Sequence, residues 1–496
     1  MMTGVTGEVF HDGPKEACGV FGVYAPGLSA AFLTFDGLYA LQHRGQESAG
    51  MAVSDGERLW IDKDMGLVSN VFNDFKLASL QGHVAIGHTR YSTTGSSTWR
   101  NAQPVYREAG DGGFALGHNG NLTNTSNLAG DAGMLPGVVA SDSDLIAELL
   151  AAAFPADEGL RSDGRDLEMA LIEVLPRLEG AFSLVVCDVA HIVGVRDPNG
   201  FRPLCLGRLE AGGWVLASET PALDVVGAHF VRELDPGEMV VIDASGCRSL
   251  RPFDAARVDP TLCLFEFVYF ARPDSRLYGK EVHGARQRMG ELLAEQAPLP
   301  TDTARPPRPV LVMGVPDSGV PAAEGFARRS GLPYGQGLVK NRYIGRTFIA
   351  PSQAARTLGV RRKLNPLRDS IAGKRLVVVD DSIVRGTTTK ALVRMLREAG
   401  AAEVHLRISS PPYRWPCFYG MDTGTRAELI AANLSVSEIQ DFVGADSLAY
   451  VSLENLITAI DAPGAGFCTA CLTGAYPVPV PLTLHKGVLE GAPGRG

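Results

Sequence analysis

Two groups of residues in this chain are of types that do chemistry only in combination. The first is the string Val377-Val378-Val379-Asp380-Asp381-Ser382-Ile383-Val384-Arg385-Gly386-Thr387-Thr388-Thr389. An apolar run ends in two adjacent carboxylates, and a loop with a cation, a glycine and threonine hydroxyls follows. A helical pattern comes next, with Leu392, Met395, Leu396 and Ala399 on one face and Gly400 as its C-cap. Strand, polar turn and helix in this order aim backbone N–H groups and a helix N-terminus at an anion. The two acids suit a ribose diol or a magnesium ion, and Arg385–Thr389 suits a phosphate, so the expected ligand is a sugar phosphate. No Gly-Lys-Ser/Thr closes the loop, which sets it apart from the nucleoside-triphosphate P-loop. Taken alone, Asp-Asp also fits a solvated strand end, and Gly-Thr-Thr a helix N-cap.

The second group is scattered through the N-terminal part. It comprises Cys18 before Gly19-Val20-Phe21-Gly22-Val23, the polar string Leu41–Gly50, Gly87-His88-Thr89-Arg90-Tyr91, His118-Asn119-Gly120-Asn121, and Ser141-Asp142-Ser143-Asp144. Together these fit acyl transfer. A cysteine attacks an amide carbon, and Asn119 with the Gly120 N–H suits the developing oxyanion. Arg90 suits a substrate carboxylate in fork geometry, and Asp142 a substrate ammonium. A substrate with a carboxylate, an ammonium and an amide is glutamine. Taken singly, Cys18 also fits a buried cysteine, Asn119-Gly120 a hairpin turn and Asp142 a helix N-cap.

Short glycine-punctuated β-like runs such as Ala181–Val186 and Trp214–Ala217, with one helix pattern at Asp144–Phe154, predict a sheet-rich α+β first half. Turn-rich sequence at Asp235–Gly246 and Arg251–Pro260 puts a boundary near residue 255. Beyond it a helix pattern at Val282–Ala297, a Pro-rich linker, and strands at Val310–Gly314, Leu376–Asp380 and Val404–Ile408 predict an α/β sheet of mostly parallel strands. Ligands of such sheets collect at the carboxyl ends of strands. That makes Pro316-Asp317-Ser318-Gly319 a second candidate phosphate loop, facing a pyrophosphate. Lys340-Asn341-Arg342-Tyr343 and Arg361-Arg362-Lys363 flank a segment of the kind that closes over a polyphosphate and excludes water.

At 496 residues the chain has room for two to four domains, on roughly 100–200 residues each. A net charge of -9 disfavours a nucleic-acid partner. No apolar run approaches the roughly 18 residues of a membrane span. Residues 1–17 lack the apolar core of a secretory signal, so a cytoplasmic location is expected. Eight cysteines are too sparse for a disulfide scaffold; clustered ones more readily bind metal or do chemistry.

The first string resembles the phosphoribosyl-pyrophosphate (PRPP) motif of type I phosphoribosyltransferases. The second set resembles the N-terminal-nucleophile, class II glutamine amidotransferases. Together with VKNRYIGRTFI, they make the chain similar, from Cys18 to about Pro477, to the amidophosphoribosyltransferase family. The resemblance implies an N-terminal-nucleophile domain of sandwiched antiparallel sheets at 18–255. A type I phosphoribosyltransferase domain at 256–480 and a tail at 481–496 would follow. It places Asp380 and Asp381 at the ribose hydroxyls, and Ser382, Arg385, Gly386, Thr387 and Thr388 at the 5′-phosphate. Asp317, Ser318, Lys340 and Arg342 would sit at the pyrophosphate and in the closing loop, with Mg2+ held by Ser318, Asp380 and Asp381.

In this family the nucleophile is the first residue of the mature chain and its own α-amino group is the base, so residues 1–17 are expected to be a propeptide. Cys468-Thr469-Ala470-Cys471 alone fits half a zinc site, a redox pair or a cluster corner. The propeptide-bearing branch implies instead a [4Fe-4S] cluster on Cys263, Cys417, Cys468 and Cys471, in a stabilising role. Cys187, Cys205 and Cys247 have no matching role.

The implied activity forms a γ-glutamyl thioester at Cys18 and passes ammonia internally to C1 of PRPP. The implied partners are glutamine and PRPP, with purine nucleotides as inhibitors and a homotetramer as the assembly. A glutamine-dependent synthase of another kind would need an ATP site or a sugar-isomerase domain. A PRPP-sensing repressor would need a basic DNA-binding module. The sequence offers neither.

Overall fold

The computed structural model describes residues 18–91, 96–110, 112–135, 137–154, 165–341, 363–421, 425–481 and 489. The expected propeptide 1–17, Arg342 with the body of the closing segment, and Arg361-Arg362 lie outside the described residues.

The first half is built on two antiparallel sheets. One has seven strands in the order Ala228–Glu233, Cys205–Leu209, Trp214–Ala217, Gly19–Tyr24, Val84–Arg90, Ser48–Ser54, Leu59–Met65. The other has six, in the order Gly246–Leu250, Met239–Asp243, Ile192–Arg196, Gly180–Cys187, Phe114–Leu122, Val105–Arg107. Alternation along the strands explains the layering. Val20, Ile86 and Leu216 of the first sheet meet Ala115, Val185 and Val240 of the second in one buried cluster. The outer face of the first sheet packs on Ala30–Ala40, where Leu38 joins Phe21 and Met51. That of the second packs on Asp142–Ala153 and Asp166–Val174. The result is the sandwich expected from the sequence, with a helical layer on each side.

The second half carries a four-stranded parallel sheet in the order Val310–Gly314, Arg375–Asp380, Glu403–Ile408, Ser447–Tyr450. The neighbouring strands Val310–Gly314 and Arg375–Asp380 are covered on both faces, which is why Val310–Gly314 and Leu376–Val379 read as continuous apolar runs. Val377 and Val379 face the helices Val282–Gln296 and Val320–Ser330. Leu376 and Val378 face Thr387–Glu398 and Val436–Val443. Leu262–Cys263 pairs in parallel with Phe467–Cys468, so the start of this half lies against its C-terminal part.

Helices Val282–Gln296 and Val320–Ser330 approach closely because each presents a glycine to the other's backbone. A Cβ on Gly290 would come 1.8 Å from Ala322 O, and one on Gly325 1.9 Å from Gln287 O. In an exposed helix, alanine would stabilise over glycine by roughly 0.5–1 kcal/mol. Here the clash is with backbone that cannot rotate away. Gly290→Ala is therefore expected to destabilise, by the ~1–3 kcal/mol of an overpacked core. Chemical denaturation checks it: the midpoint should fall, and a rise would mean that the helices separate freely.

Candidate active sites

The candidate nucleophile sits where the two sheets of the sandwich meet. Cys18 lies immediately before the strand Gly19–Tyr24 and is buried. Its Sγ donates to Tyr91 O at 3.2 Å, and Tyr91 N donates back to Sγ at 3.4 Å. Burial pushes the thiol up to about 11, against the opposing pull of the Tyr91 N–H and of the nearby Arg90 charge. One cleft is lined by Cys18, Arg90, Tyr91, Gly120 and Asp142, so four of the five residues singled out for glutamine chemistry come together there.

The fifth, Asn119, lies between the cleft residues His118 and Gly120 on Phe114–Leu122. It is fully buried, and neither Oδ1 nor Nδ2 has a hydrogen-bond partner among the described residues. Asn119-Gly120 is thus not a hairpin turn but mid-strand, in register with Ser183 and Phe182. Gly120 is required by close approach, since a Cβ there would lie 2.0 Å from Ala181 O.

Arg90 ends the strand Val84–Arg90 and is buried. Its Nη1 donates to Ser96 O at 3.3 Å and lies 3.9 Å from Glu47 Oε2. Asp142 is the first residue of the helix Asp142–Ala153; the N-cap role falls to Ser141, whose side chain accepts from Asp144 N at 3.2 Å. Asp142 Oδ1 accepts from Ser143 N at 2.9 Å, and Oδ2 from Leu122 N at 3.2 Å. Two N–H donors and the helix N-terminus hold its charge in place.

Beneath it is a polar bed that sequence reading missed. His118 Nδ1 is 3.1 Å from Ser143 Oγ, Gln103 Nε2 donates to the same Oγ at 3.0 Å, and His118 N donates to Gln103 Oε1 at 2.7 Å. These residues are separated by up to 40 positions, and no local pattern joins them.

The second candidate site lies at the carboxyl ends of two adjacent parallel strands. Asp380 ends the strand Arg375–Asp380, and its Oδ1 accepts from Asp381 N at 3.0 Å. Asp381 is buried. Ser318 Oγ and Ser382 Oγ both donate to its carboxylate, Ser382 at 2.5 Å. Burial pushes Asp381 up, against the lowering pull of the two hydroxyls and of Arg286. The Ser318–Asp381 contact joins the two loops that the sequence paired. Asp317 and Lys340 form an ion pair at 2.5 Å at the exposed rim.

The helix Thr387–Glu398 starts at Gly386, which is left-handed with φ +77° and therefore favours glycine. A Cβ there would also press on Ile430 Cδ1 at 2.7 Å. Thr387 and Thr388 occupy the first turn, where N–H groups lack intrahelical partners. Arg385 reaches Glu428 at 3.4 Å.

The four cysteines named for a cluster also gather. Cys263 faces Cys468 in the short parallel ladder, and Cys471 follows three residues on. Cys417 and Cys468 share a small core with Phe201 and Tyr419. Burial and the three neighbouring thiols push Cys471 well up. Cys263 is pushed up to about 12 by burial, although Arg202 opposes the shift. Among the described residues no three Cys, His, Asp or Glu side chains converge on one metal-ion position. Cys187 and Cys205 are buried apart from this group, and Cys247 is half-buried.

A glutamine amidotransferase domain family matches residues 88–225, and a phosphoribosyl transferase domain family residues 303–409. The amidophosphoribosyltransferase of Mycobacterium tuberculosis H37Rv is 53% identical, covering 99% of this chain and 92% of that protein. That of Synechococcus elongatus is 51% identical, covering 96% and 94%. Among solved structures, the glutamine PRPP amidotransferase of B. subtilis complexed with ADP and GMP is 42% identical, with a TM-score of 0.84 over 95% of this chain and 100% of that one. With both sites on one chain and relatives this similar along nearly its whole length, the chain belongs to the amidophosphoribosyltransferase family.

Proposed function

We propose that the chain hydrolyses glutamine at Cys18 and uses the ammonia to displace pyrophosphate from C1 of PRPP. The products are glutamate, pyrophosphate and 5-phosphoribosylamine, in the first committed step of purine synthesis. The observation that carries this reading is the cleft in which a buried thiol, guanidinium and carboxylate meet, on a chain whose parallel sheet also ends in paired polar loops.

In the first reaction Arg90 takes the substrate carboxylate and Asp142 its ammonium. The Cys18 sulfur bonds to the side-chain amide carbon, and the carbonyl oxygen becomes an oxyanion held by Asn119 Nδ2 and the Gly120 N–H. The C–N bond then breaks, ammonia leaves with the proton from sulfur, and water cleaves the γ-glutamyl thioester. The unpartnered Asn119 amide supports its part. A buried polar group without a partner costs ~1–3 kcal/mol, and the oxyanion supplies the acceptor. The base is the α-amino group of Cys18, with a pKa of about 7.7–8.0, which requires that residues 1–17 be removed as a propeptide.

In the second reaction Asp380 and Asp381 clamp the ribose hydroxyls, and Ser382, Arg385, Gly386, Thr387 and Thr388 hold the 5′-phosphate at the helix N-terminus. Asp317, Ser318 and Lys340 face the pyrophosphate, and Arg342 belongs to the segment that closes over it. Ser318, Asp380 and Asp381 offer hard oxygen donors that fit a magnesium ion shared with substrate phosphates. When bound, that ion neutralises the leaving pyrophosphate.

Cys263, Cys417, Cys468 and Cys471 fit a [4Fe-4S] cluster. Support comes from their packing: Cys263 pairs with Cys468, and Cys263 and Cys417 pack against the core that holds Cys471. A cluster gives each thiolate its own iron, so the four need not meet at one point as single-ion ligands must. The group would tie Leu262–Cys263 to the C-terminal part of the chain, a stabilising role. The reading includes inhibition by purine nucleotides, assembly as a homotetramer and a cytoplasmic location. The ADP and GMP in the complex of the B. subtilis relative support the first of these. No helix among the described residues is long and apolar enough to cross a membrane.

Three outcomes test this reading. Cys18→Ala should abolish pyrophosphate release driven by glutamine and leave release driven by ammonia within about twofold; persisting glutamine-driven release would remove Cys18 from the mechanism. Alkylation of Cys18 in the chain that still begins at Met1 should rise about tenfold per pH unit toward pH 11, because only the thiolate reacts and burial holds the proton on. Peptide mass mapping reads this, and a plateau near pH 8 would contradict it. Protein purified without oxygen should be brown with about four irons per chain; colourless, zinc-bearing protein would refute the cluster.

A further inference from the structure

Four charged side chains at the junction of the two halves are buried from solvent: Arg44, Arg202, Glu219 and Glu266. Arg44 Nε donates to Glu219 Oε1, its Nη2 to Glu266 Oε2, and its Nη1 to Glu266 Oε1 at 3.4 Å. Arg202 Nη1 donates to Glu266 Oε1 at 3.1 Å. The exchange is reciprocal. Glu266, from the second half, accepts from two arginines of the first. Glu219, from the first half, accepts from Arg272 N at 2.9 Å and Ser275 Oγ at 2.5 Å of the second.

Arg44 is next to the glutamine cleft in space as well as in sequence pattern. A Cβ on Gly19, the residue after the nucleophile, would lie 3.5 Å from Arg44 Cβ. Gly45 packs on the backbone of Arg90, where a Cβ would come within 2.6 Å. Glu47 N donates to Arg90 O at 3.1 Å. On the other side Val20 N donates to Ser218 Oγ, and Ser218 N to Val20 O, each at 3.0 Å; Glu219 is the next residue. The backbone carrying Cys18 and Arg90 is therefore flanked by two segments, both anchored in this charge cluster.

Glu266 in turn opens the π-helix Glu266–Phe270. Arg286 pins that helix, with Nε on Phe267 O and Nη2 on Ala271 O, both at 2.8 Å. Arg286 is carried by the helix Val282–Gln296, which packs on the phosphoribosyl sheet.

We propose that Glu266 is a positioning residue for glutamine hydrolysis: from the phosphoribosyl half of the chain it fixes Arg44, and through Arg44 the Cys18 and Arg90 backbone. The inference rests on the reading of that cleft as the glutamine site. A buried ion cluster is weak evidence for stability, because apolar residues of similar volume often serve as well. What it supplies is a single geometry.

The test is Glu266→Gln in the cluster-loaded enzyme whose chain begins at Cys18, assayed by pyrophosphate release with glutamine and with ammonia. The side chain keeps its shape and loses its charge. The kcat with glutamine should fall at least tenfold, with the KM for glutamine changing less than threefold and the ammonia-driven kcat within twofold. Glu266→Asp should recover part of the glutamine rate. Equal loss of both activities, or no loss of either, would overturn the proposal. Should Glu266→Gln fail to fold, the pair Arg44→Met with Glu266→Leu removes one charge of each sign. It is expected to show the same selective loss, and unchanged glutamine activity there would equally overturn the proposal. Failure of the underlying site reading shows up elsewhere, as glutamine-driven activity surviving in Cys18→Ala.

Discussion

The two halves of the chain are joined by a buried exchange of charge. Arg44 and Arg202 reach out of the sandwich to Glu266, and Arg272 N and Ser275 reach back to Glu219. Removing such groups from water costs several kcal/mol per ion, recovered only when donors and acceptors meet in good geometry. The arrangement is favourable in one relative placement of the halves and costly in any other. Hydrophobic packing across the same junction would tolerate sliding, because it depends on area and not on direction. A chain that generates ammonia in one half and consumes it in the other needs that placement fixed.

A different use of buried polarity appears at the phosphoribosyl loops. Asp380 and Asp381 are adjacent in sequence but differ in setting. Asp380 is half-buried and caps its own chain at Asp381 N. Asp381 is buried, receives two serine hydroxyls and has its acidity reduced by burial. Hydroxyl donors around a carboxylate match what a ribose diol would present there. This favours a sugar clamp over a pair of catalytic acids. Ammonia needs little activation as a nucleophile, and the departing pyrophosphate carries most of the charge that must be stabilised.

The parts of this structure legible in the sequence are those where neighbours in the chain are neighbours in space. Leu376–Asp380 followed by Arg385–Thr389 reads as strand, turn and helix because each element's pattern is local, and the structure places them so. The loop at Pro316–Gly319 was legible for the same reason. Asn119-Gly120 was ambiguous because the dipeptide that forms a hairpin turn also permits the close strand approach at Ala181 O. The residues that escaped are partners in long-range contacts. Arg44 lies 175 residues from Glu219 and 222 from Glu266, and a lone glutamate gives no sign that its partner is buried. The string Leu41–Gly50 stood out as polar in apolar surroundings, which marked Arg44 without saying what it meets.

Cys18 shows how one contact can both prepare and restrain a nucleophile. Its thiol exchanges hydrogen bonds with the backbone of Tyr91, next to the Arg90 proposed to hold the substrate. A carbonyl accepts the S–H proton but cannot remove it. Burial adds to the restraint, and the thiol stays protonated across the physiological range. His88 lies buried nearby, yet burial pushes it down to about 3 and its Nε2 is committed to His118 O at 3.0 Å. It is a neutral donor and no base. In a chain where Cys18 is joined to Ala17, its own nitrogen is an amide and equally inert. Freeing that nitrogen turns it into an amine that titrates near neutral pH, attached to the residue it must activate. On the proposed reading, cutting one peptide bond supplies the missing base.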